Sequence, residues 1–334
     1  MGYNRVMPWD VIGHDWAVQL LQRHIAQNAV RHAYLFTGPE GVGKRTLALQ
    51  FARALVCQSP PGPGDACGTC RACRLLPDYR YADLHVIESD DEGGSVKVEQ
   101  VRELHRHLSL APLEGQWRIA LLLRFHQATP GAANALLKTL EEPPAKVVLL
   151  LTARSPEELL PTVVSRCEGI PLRALPQTSV AAWLGDQGVP VDKADLLSRL
   201  AGGSPGMAMR LAGDEGLLAD RVQVLDSLIA LLQGSRAERF AAIESMAKDR
   251  GQAIRALQAW QSLVRDALMA AAGAAVPQTN PDRRGDLQVL VARHDTEAWI
   301  AAIQALDRTL SALEGNANTR LALEVLALDL PGLR

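Results

Sequence analysis

The sequence predicts a mostly parallel α/β layer in its first half and an all-helical second half. Three observations carry this reading. Short apolar runs at residues 33–37, 84–88, 119–123 and 147–152 alternate with segments of helical period, as strands joined by helical crossovers do. From residue 177 onward no such run recurs, and amphipathic segments follow one another. Aromatic residues make up only 4% of the chain while Ala and Leu abound, which favours helix packing over a β-sandwich.

Each element has its own signal. Residues 16–29 place Leu20, Leu21, Ile25 and Ala29 at helical spacing. Residues 33–37 form a short buried strand that runs directly into Gly38-Pro39-Glu40-Gly41-Val42-Gly43-Lys44, and a helical pattern follows through Leu55. Residues 58–66, rich in Pro and Gly, are a loop. The strands near 84–88, 119–123 and 147–152 are separated by helices over 98–108 and 132–140. Gly202 to Gly206 is a helix start or interhelix turn, and amphipathic helices follow over 217–232, 237–247, 253–272, 297–313 and 320–328. Residues 274–286 read as a loop.

Length and charge bound the function. A chain of 334 residues suits two or three domains. Lys plus Arg number 35 against 37 Asp plus Glu, which excludes a protein that works chiefly by wrapping nucleic acid. No apolar run reaches the ~18 residues of a membrane span, and residues 1–10 show no charged stretch leading into an apolar one. A cytoplasmic protein with no membrane partner is expected.

Gly38, Gly43 and Lys44 fit the phosphate-loop pattern G-x-x-x-x-G-K. Backbone N–H groups at a helix start cradle an anion there, and the Lys ammonium meets the outer phosphates. The next position should be Ser or Thr, to ligate magnesium. It is Arg45, and Thr46 lies one residue late, about 100° further round the helix. An active ATPase also needs carboxylates at the end of a buried strand. After residues 119–123 the chain reads Arg124-Phe125-His126-Gln127, with no acid. Glu88, Asp90 and Asp91 follow another strand and are the alternative acids.

Cys57, Cys67, Cys70 and Cys73 stand in a C-x9-C-x2-C-x2-C pattern. Disulfides are disfavoured in a reducing compartment. Short Cys spacings let backbone N–H groups face thiolates in tight knuckles, as zinc sites require. Zinc is the expected ion; an iron–sulfur cluster or free thiols are the alternatives. Four protein ligands leave no open position, so the centre is structural. Cys167 is read as a small buried side chain.

The phosphate loop, the cysteine insertion after its helix, Asn134-Ala135-Leu136-Leu137-Lys138-Thr139-Leu140-Glu141-Glu142-Pro143-Pro144, and Ser165-Arg166-Cys167 occur in that order, and Asn316-Ala317-Asn318-Thr319-Arg320-Leu321-Ala322-Leu323-Glu324 lies near the end. In this combination the chain resembles the clamp-loader family of AAA+ proteins over essentially its whole length. The resemblance implies a RecA-like AAA+ domain over residues 1–170 with a zinc module at 57–76, a small helical lid over 171–212, and an all-α collar domain over 213–334 that joins a ring. It implies as partners the gamma and tau motor subunits, a delta subunit, a sliding clamp and, in the assembled complex, primed DNA.

Within that family the acidic pair falls on Leu123 and Arg124, the metal-ligating hydroxyl on Arg45, and the second sensor arginine near Gly206. Arg166 is retained. The resemblance therefore implies a non-motor subunit, a stator without ATPase activity of its own. Its catalytic contribution would be Arg166, an arginine finger given in trans to a neighbouring ATPase. Structural zinc is the expected cofactor. ATP with magnesium is not expected, and Gly38, Gly43 and Lys44 become a degenerate, vestigial phosphate loop. Two other readings stay open: an active AAA+ motor subunit, and a zinc-dependent DNA-binding module.

Overall fold

The computed structural model describes residues 9–89, 94–315 and 317–332. Asp90, Asp91 and Asn316, singled out above, lie outside the described residues. Five parallel strands, β1 (Ala33–Thr37), β2 (Leu84–Ile87), β3 (Arg118–Leu122), β4 (Val147–Ala153) and β5 (Glu168–Pro171), form one sheet in the order β2-β3-β4-β1-β5. In register, Leu35 of β1 faces Leu151 of β4 on one side and Gly169 of β5 on the other. Every residue of β1, β3 and β4 is buried. Burial on both faces is why these strands read as unbroken apolar runs.

Alternate residues of each strand face opposite sides. Tyr34 and Phe36 pack with α1 (Asp15–Ala26) and α2 (Lys44–Val56), and the short α3 (Arg71–Leu75) joins that face. Phe51 of α2 meets Tyr34 edge-on at 4.8 Å. Ala33 and Leu35 face α4 (Val98–Leu108), α5 (Pro130–Glu141) and α6 (Pro161–Val164). Thr129 caps α5 by accepting from the Ala132 N–H, and Pro130 occupies its first turn.

The chain divides into two compact units. One comprises the residues up to 183 with 203–207, and the other 184–202 with those from 208 onward. The remaining helices are α7 (Gln177–Asp186), α8 (Val191–Leu200), α9 (Pro205–Gly213), α10 (Glu215–Gln233), α11 (Arg236–Met246), α12 (Arg250–Ala271), α13 (Arg284–Val291), α14 (Thr296–Glu314) and α15 (Thr319–Asp329). Asp214, Ser235, Asp249, Asp295 and Asn318 each accept a backbone N–H at the start of a helix, the reason these helices begin where they do. Trp260, Trp299, Leu257, Leu306 and Leu323 fill their common core.

Buried Arg239 of α11 donates to Leu232 O and Gly234 O at the end of α10 and to Ala327 O, Leu330 O and Pro331 O at the end of α15. No helix among the described residues is long and apolar enough to cross a membrane.

Among the elements that depart from the sequence reading are a strand and a helix. The strand β5 was not expected, because Glu-Gly-Ile-Pro buries only Ile170 and offers no apolar run. The expected loop over 274–286 gives way to α13 at Arg284. Its polar first turn, Arg284-Gly285-Asp286, hides the buried Leu287 and Leu290 that follow.

Candidate functional site

The glycine loop joins the end of β1 to the start of α2. Gly38, Gly41 and Gly43 have φ of 141°, 70° and 110°, values that side chains disfavour. A Cβ on Gly38 would lie 2.2 Å from Leu172 O. The Lys44 Nζ donates to Gly38 O at 2.5 Å and Pro39 O at 2.6 Å. Burial pushes its ammonium down to about 8. The turn at residues 203–207 lies on the same loop: Ser204 Oγ donates to Glu40 O at 2.7 Å, and Gly206 N to Gly41 O at 2.8 Å. A Cβ on Gly206 would sit 2.9 Å from Gly41 O, so the glycine permits this close approach.

Leu123 is buried just past β3, and Arg124 follows in a left-handed conformation with φ 49°. The Arg124 N–H donates to Thr152 Oγ1 at 2.8 Å, and its guanidinium pairs with Glu88 Oε1 at 2.9 Å. Glu88, one of the alternative acids, is thereby engaged by an arginine across adjacent strand ends. The Arg45 guanidinium lies 4.9 Å from the centre of the Tyr79 ring. Next to the loop, His126 is held near 4 by burial and then by Arg154, Lys44 and Arg124. At the end of β3 and at position 45, where a magnesium-dependent site needs carboxylates and a hydroxyl, the described residues present arginines.

The four cysteines come together. Their Sγ atoms all lie within 4.8 Å of one another, and Cys67 Sγ is 3.9 Å from Cys73 Sγ. A tetrahedral ion with Zn–S near ~2.3 Å asks for sulfur pairs ~3.8 Å apart, so the donor set fits zinc. Cys57 closes α2 as its C-cap residue, Cys70 precedes α3, and Cys73 is buried within α3. The Cys67 N–H donates to Cys57 Sγ at 3.2 Å and the Cys70 N–H to Cys67 Sγ at 3.3 Å, the expected knuckle bonds. N–H donation from Cys70 and Thr69 brings the Cys67 thiol down to about 5, whereas burial pushes Cys73 up to about 12. The module is anchored on α1 and the segment before it: Trp9 Nε1 donates to Gly64 O and Gln22 Nε2 to Asp65 Oδ1.

Arg166 follows α6. Its Nη1 donates to Thr162 O at 2.9 Å, and its Nη2 pairs with Glu141 Oε1 of α5 at 2.9 Å. About a third of its side chain is exposed. Cys167 is pushed up to about 12 by burial. The structure thus groups Gly38, Gly43 and Lys44 in one loop and the four cysteines in one cluster, and it places Arg166 with neither. Sequence reasoning missed the partners Glu88, Tyr79 and Glu141. Glu141 stands in a quoted motif, but its pairing with a residue twenty-five positions on leaves no local trace.

Residues 13–176 match the family described as DNA polymerase III, delta subunit, and residues 215–331 match that described as DNA polymerase III, delta subunit, C terminal. DNA polymerase III subunit delta' of Pseudomonas aeruginosa is 41% identical over 214 residues, 62% of this chain and 63% of that protein. DNA polymerase III subunit gamma/tau of Mycobacterium tuberculosis is 34% identical over 229 residues, 66% of this chain and 37% of that protein. A crystal structure of a DNA polymerase III gamma subunit-related protein from Thermotoga maritima shares the fold, with TM-score 0.51 and 18% identity over 93% of this chain and 97% of that one. The RecA-like α/β layer with a helical C-terminal region is therefore the fold of clamp-loader structures, and the chain belongs to the DNA polymerase III delta-prime family of clamp-loader AAA+ proteins.

Proposed function

We propose that the chain is the non-motor subunit of a bacterial sliding-clamp loader: it turns over no ATP itself and lends Arg166 to the nucleotide of a ring neighbour. The observation that carries this is the arginine pair at the loop. Arg45 stacks on Tyr79 and Arg124 pairs with Glu88, so positions that the resemblance assigns to magnesium binding carry cations already engaged elsewhere. Without a hydroxyl and carboxylates the metal cannot be kept against the β- and γ-phosphates. Arg166 needs no nucleotide in its own subunit. Its partners Glu141 and Thr162 O hold the guanidinium in place at the surface, and a phosphoryl group from a neighbour can replace the carboxylate on the same planar fork.

In this reading residues 1–170 are the AAA+ domain, 171–212 the lid and 213–334 the collar. The partners are gamma or tau, delta, the clamp and primed DNA, and the complex is cytoplasmic. Cys57, Cys67, Cys70 and Cys73 hold one structural zinc, which crosslinks the insertion to the end of α2 and leaves no position for substrate.

The test uses complexes reconstituted with this subunit. Arg166→Ala is expected to assemble normally, as judged by gel filtration, and to slow DNA-stimulated ATP hydrolysis and clamp loading severalfold, since a finger is worth ~10³ to 10⁵ at the single site it serves. Arg166→Lys should rescue poorly. Normal assembly with unchanged rates overturns the finger role. Steady ATP hydrolysis by the purified chain, abolished by Lys44→Ala, overturns the non-motor reading.

A further inference from the structure

Helix α2 carries one more charged side chain that the functions above leave unused. Arg53 sits in the last turn of α2, four residues before Cys57. Its Nε is buried and makes no hydrogen bond. Its Nη1 reaches only Gln50 Oε1, at 3.4 Å. Among the described residues no carboxylate pairs with it. A partly buried guanidinium without an acid is costly, and something of opposite sign should offset it.

What lies beside Arg53 is the cysteine cluster. The Arg53 guanidinium lies on the side of Cys73 and favours its thiolate, against the larger upward push of burial. Its Nη2 also fills the space over Gly68, where a Cβ would come within 2.9 Å. Gly68 has φ 74° and forms the turn between Cys67 and Cys70. One side chain therefore lies toward Cys73 and packs on the knuckle that presents Cys67 and Cys70. Four thiolates around one divalent ion carry roughly two negative charges in excess. That is the missing counter-charge.

We propose that Arg53 is the counter-cation of the cysteine metal centre, a positioning residue that packs on the Gly68 turn between two ligands and damps the excess charge of the four sulfurs. The inference rests on the metal reading given above and adds to it. Hydrogen-bonded partners outside the ligand set fix ligand orientation and tune the donor atoms, and their loss typically loosens metal ~10- to 100-fold. A cation on sulfur also draws electron density from the metal–sulfur bonds. Removing it should raise the sulfur donor level.

The experiment uses the full chain loaded with zinc and, separately, with cobalt(II). Metal affinity is read by competition with a chromophoric chelator, and folding by circular dichroism. Arg53→Gln is expected to bind zinc ~10- to 100-fold more weakly and to move the sulfur-to-cobalt charge-transfer bands to longer wavelength. Arg53→Lys keeps a cation on a stem of similar reach and should recover most of the affinity. Unchanged affinity and unchanged bands in Arg53→Gln overturn the proposal, as does equal loss in both variants. Should Arg53→Gln not fold, Arg53→Met, which keeps the apolar stem and removes the charge, takes its place with the same two outcomes. Failure of the unmodified chain to bind either ion is a different result: it refutes the metal centre itself.

Discussion

His126 is the residue at which the glycine-loop region meets solution conditions. Its side chain is only 10% exposed, and its Nδ1 makes no hydrogen bond, with Glu158 Oε2 3.9 Å away. Burial, then Arg154, Lys44 and Arg124, hold it near 4, while Glu40 opposes them. In the unfolded chain an imidazole titrates near ~6.5. The folded state therefore keeps His126 neutral where the unfolded state takes up a proton. Its contribution to stability is complete above pH ~6.5 and is lost as pH falls toward ~4, by about 3 kcal/mol at most. His126→Gln is expected to remove about 2–3 kcal/mol from the loss of stability between pH ~7 and ~4, as measured by urea unfolding at each pH. An unaltered pH profile would contradict the assignment. In the sequence His126 counts only as a residue that is not an acid, because burial among three cations from separate segments has no signature in the local chain.

At the scale of elements, the clip made by Arg239 invites a direct prediction. One guanidinium serves backbone carbonyls at the ends of both α10 and α15, groups that a helix leaves without partners of its own. Arg239→Met should destabilise the helical unit by about 2–4 kcal/mol, since buried acceptors lose charge-assisted bonds. Hydrogen exchange should then rise first in the last turn of α15. Protection unchanged in that turn would show that packing of Leu323 and Leu326 suffices. The elements themselves were legible where burial leaves a pattern. Apolar runs marked β1, β3 and β4, and amphipathic spacing marked the long helices. The short α3 was not legible, for its five residues are too few to show a helical period. The same holds for β5, which is a strand because Tyr34 to Thr37 of β1 offer it a partner.

Across the whole molecule, the motifs appear in the chain in the order in which the fold uses them. That is why the layer, the cysteine cluster and the family could be read in advance. The ion pairs Arg124–Glu88 and Arg166–Glu141 could not, since each joins separate segments. One feature of the fold bears on what kinds of genetic change the protein tolerates. Helix α2 begins at Lys44 and its C-cap is Cys57, with thirteen helical residues between loop and cysteine cluster, a span of ~20 Å. Inserting one alanine after Leu49 would turn one end against the other by ~100° and lengthen the span by ~1.5 Å. The loop and the cysteines could then not both keep their places. Such an insertion is expected to empty the proposed metal site or lower the melting temperature by about 10 °C, equivalent to ~3 kcal/mol, whereas Thr46→Ala on the exposed side changes little. Metal analysis and thermal melts of the two variants decide the point. Helix α2 is a gauge block between two fixtures: its exposed letters such as Thr46 can be exchanged, but their number cannot.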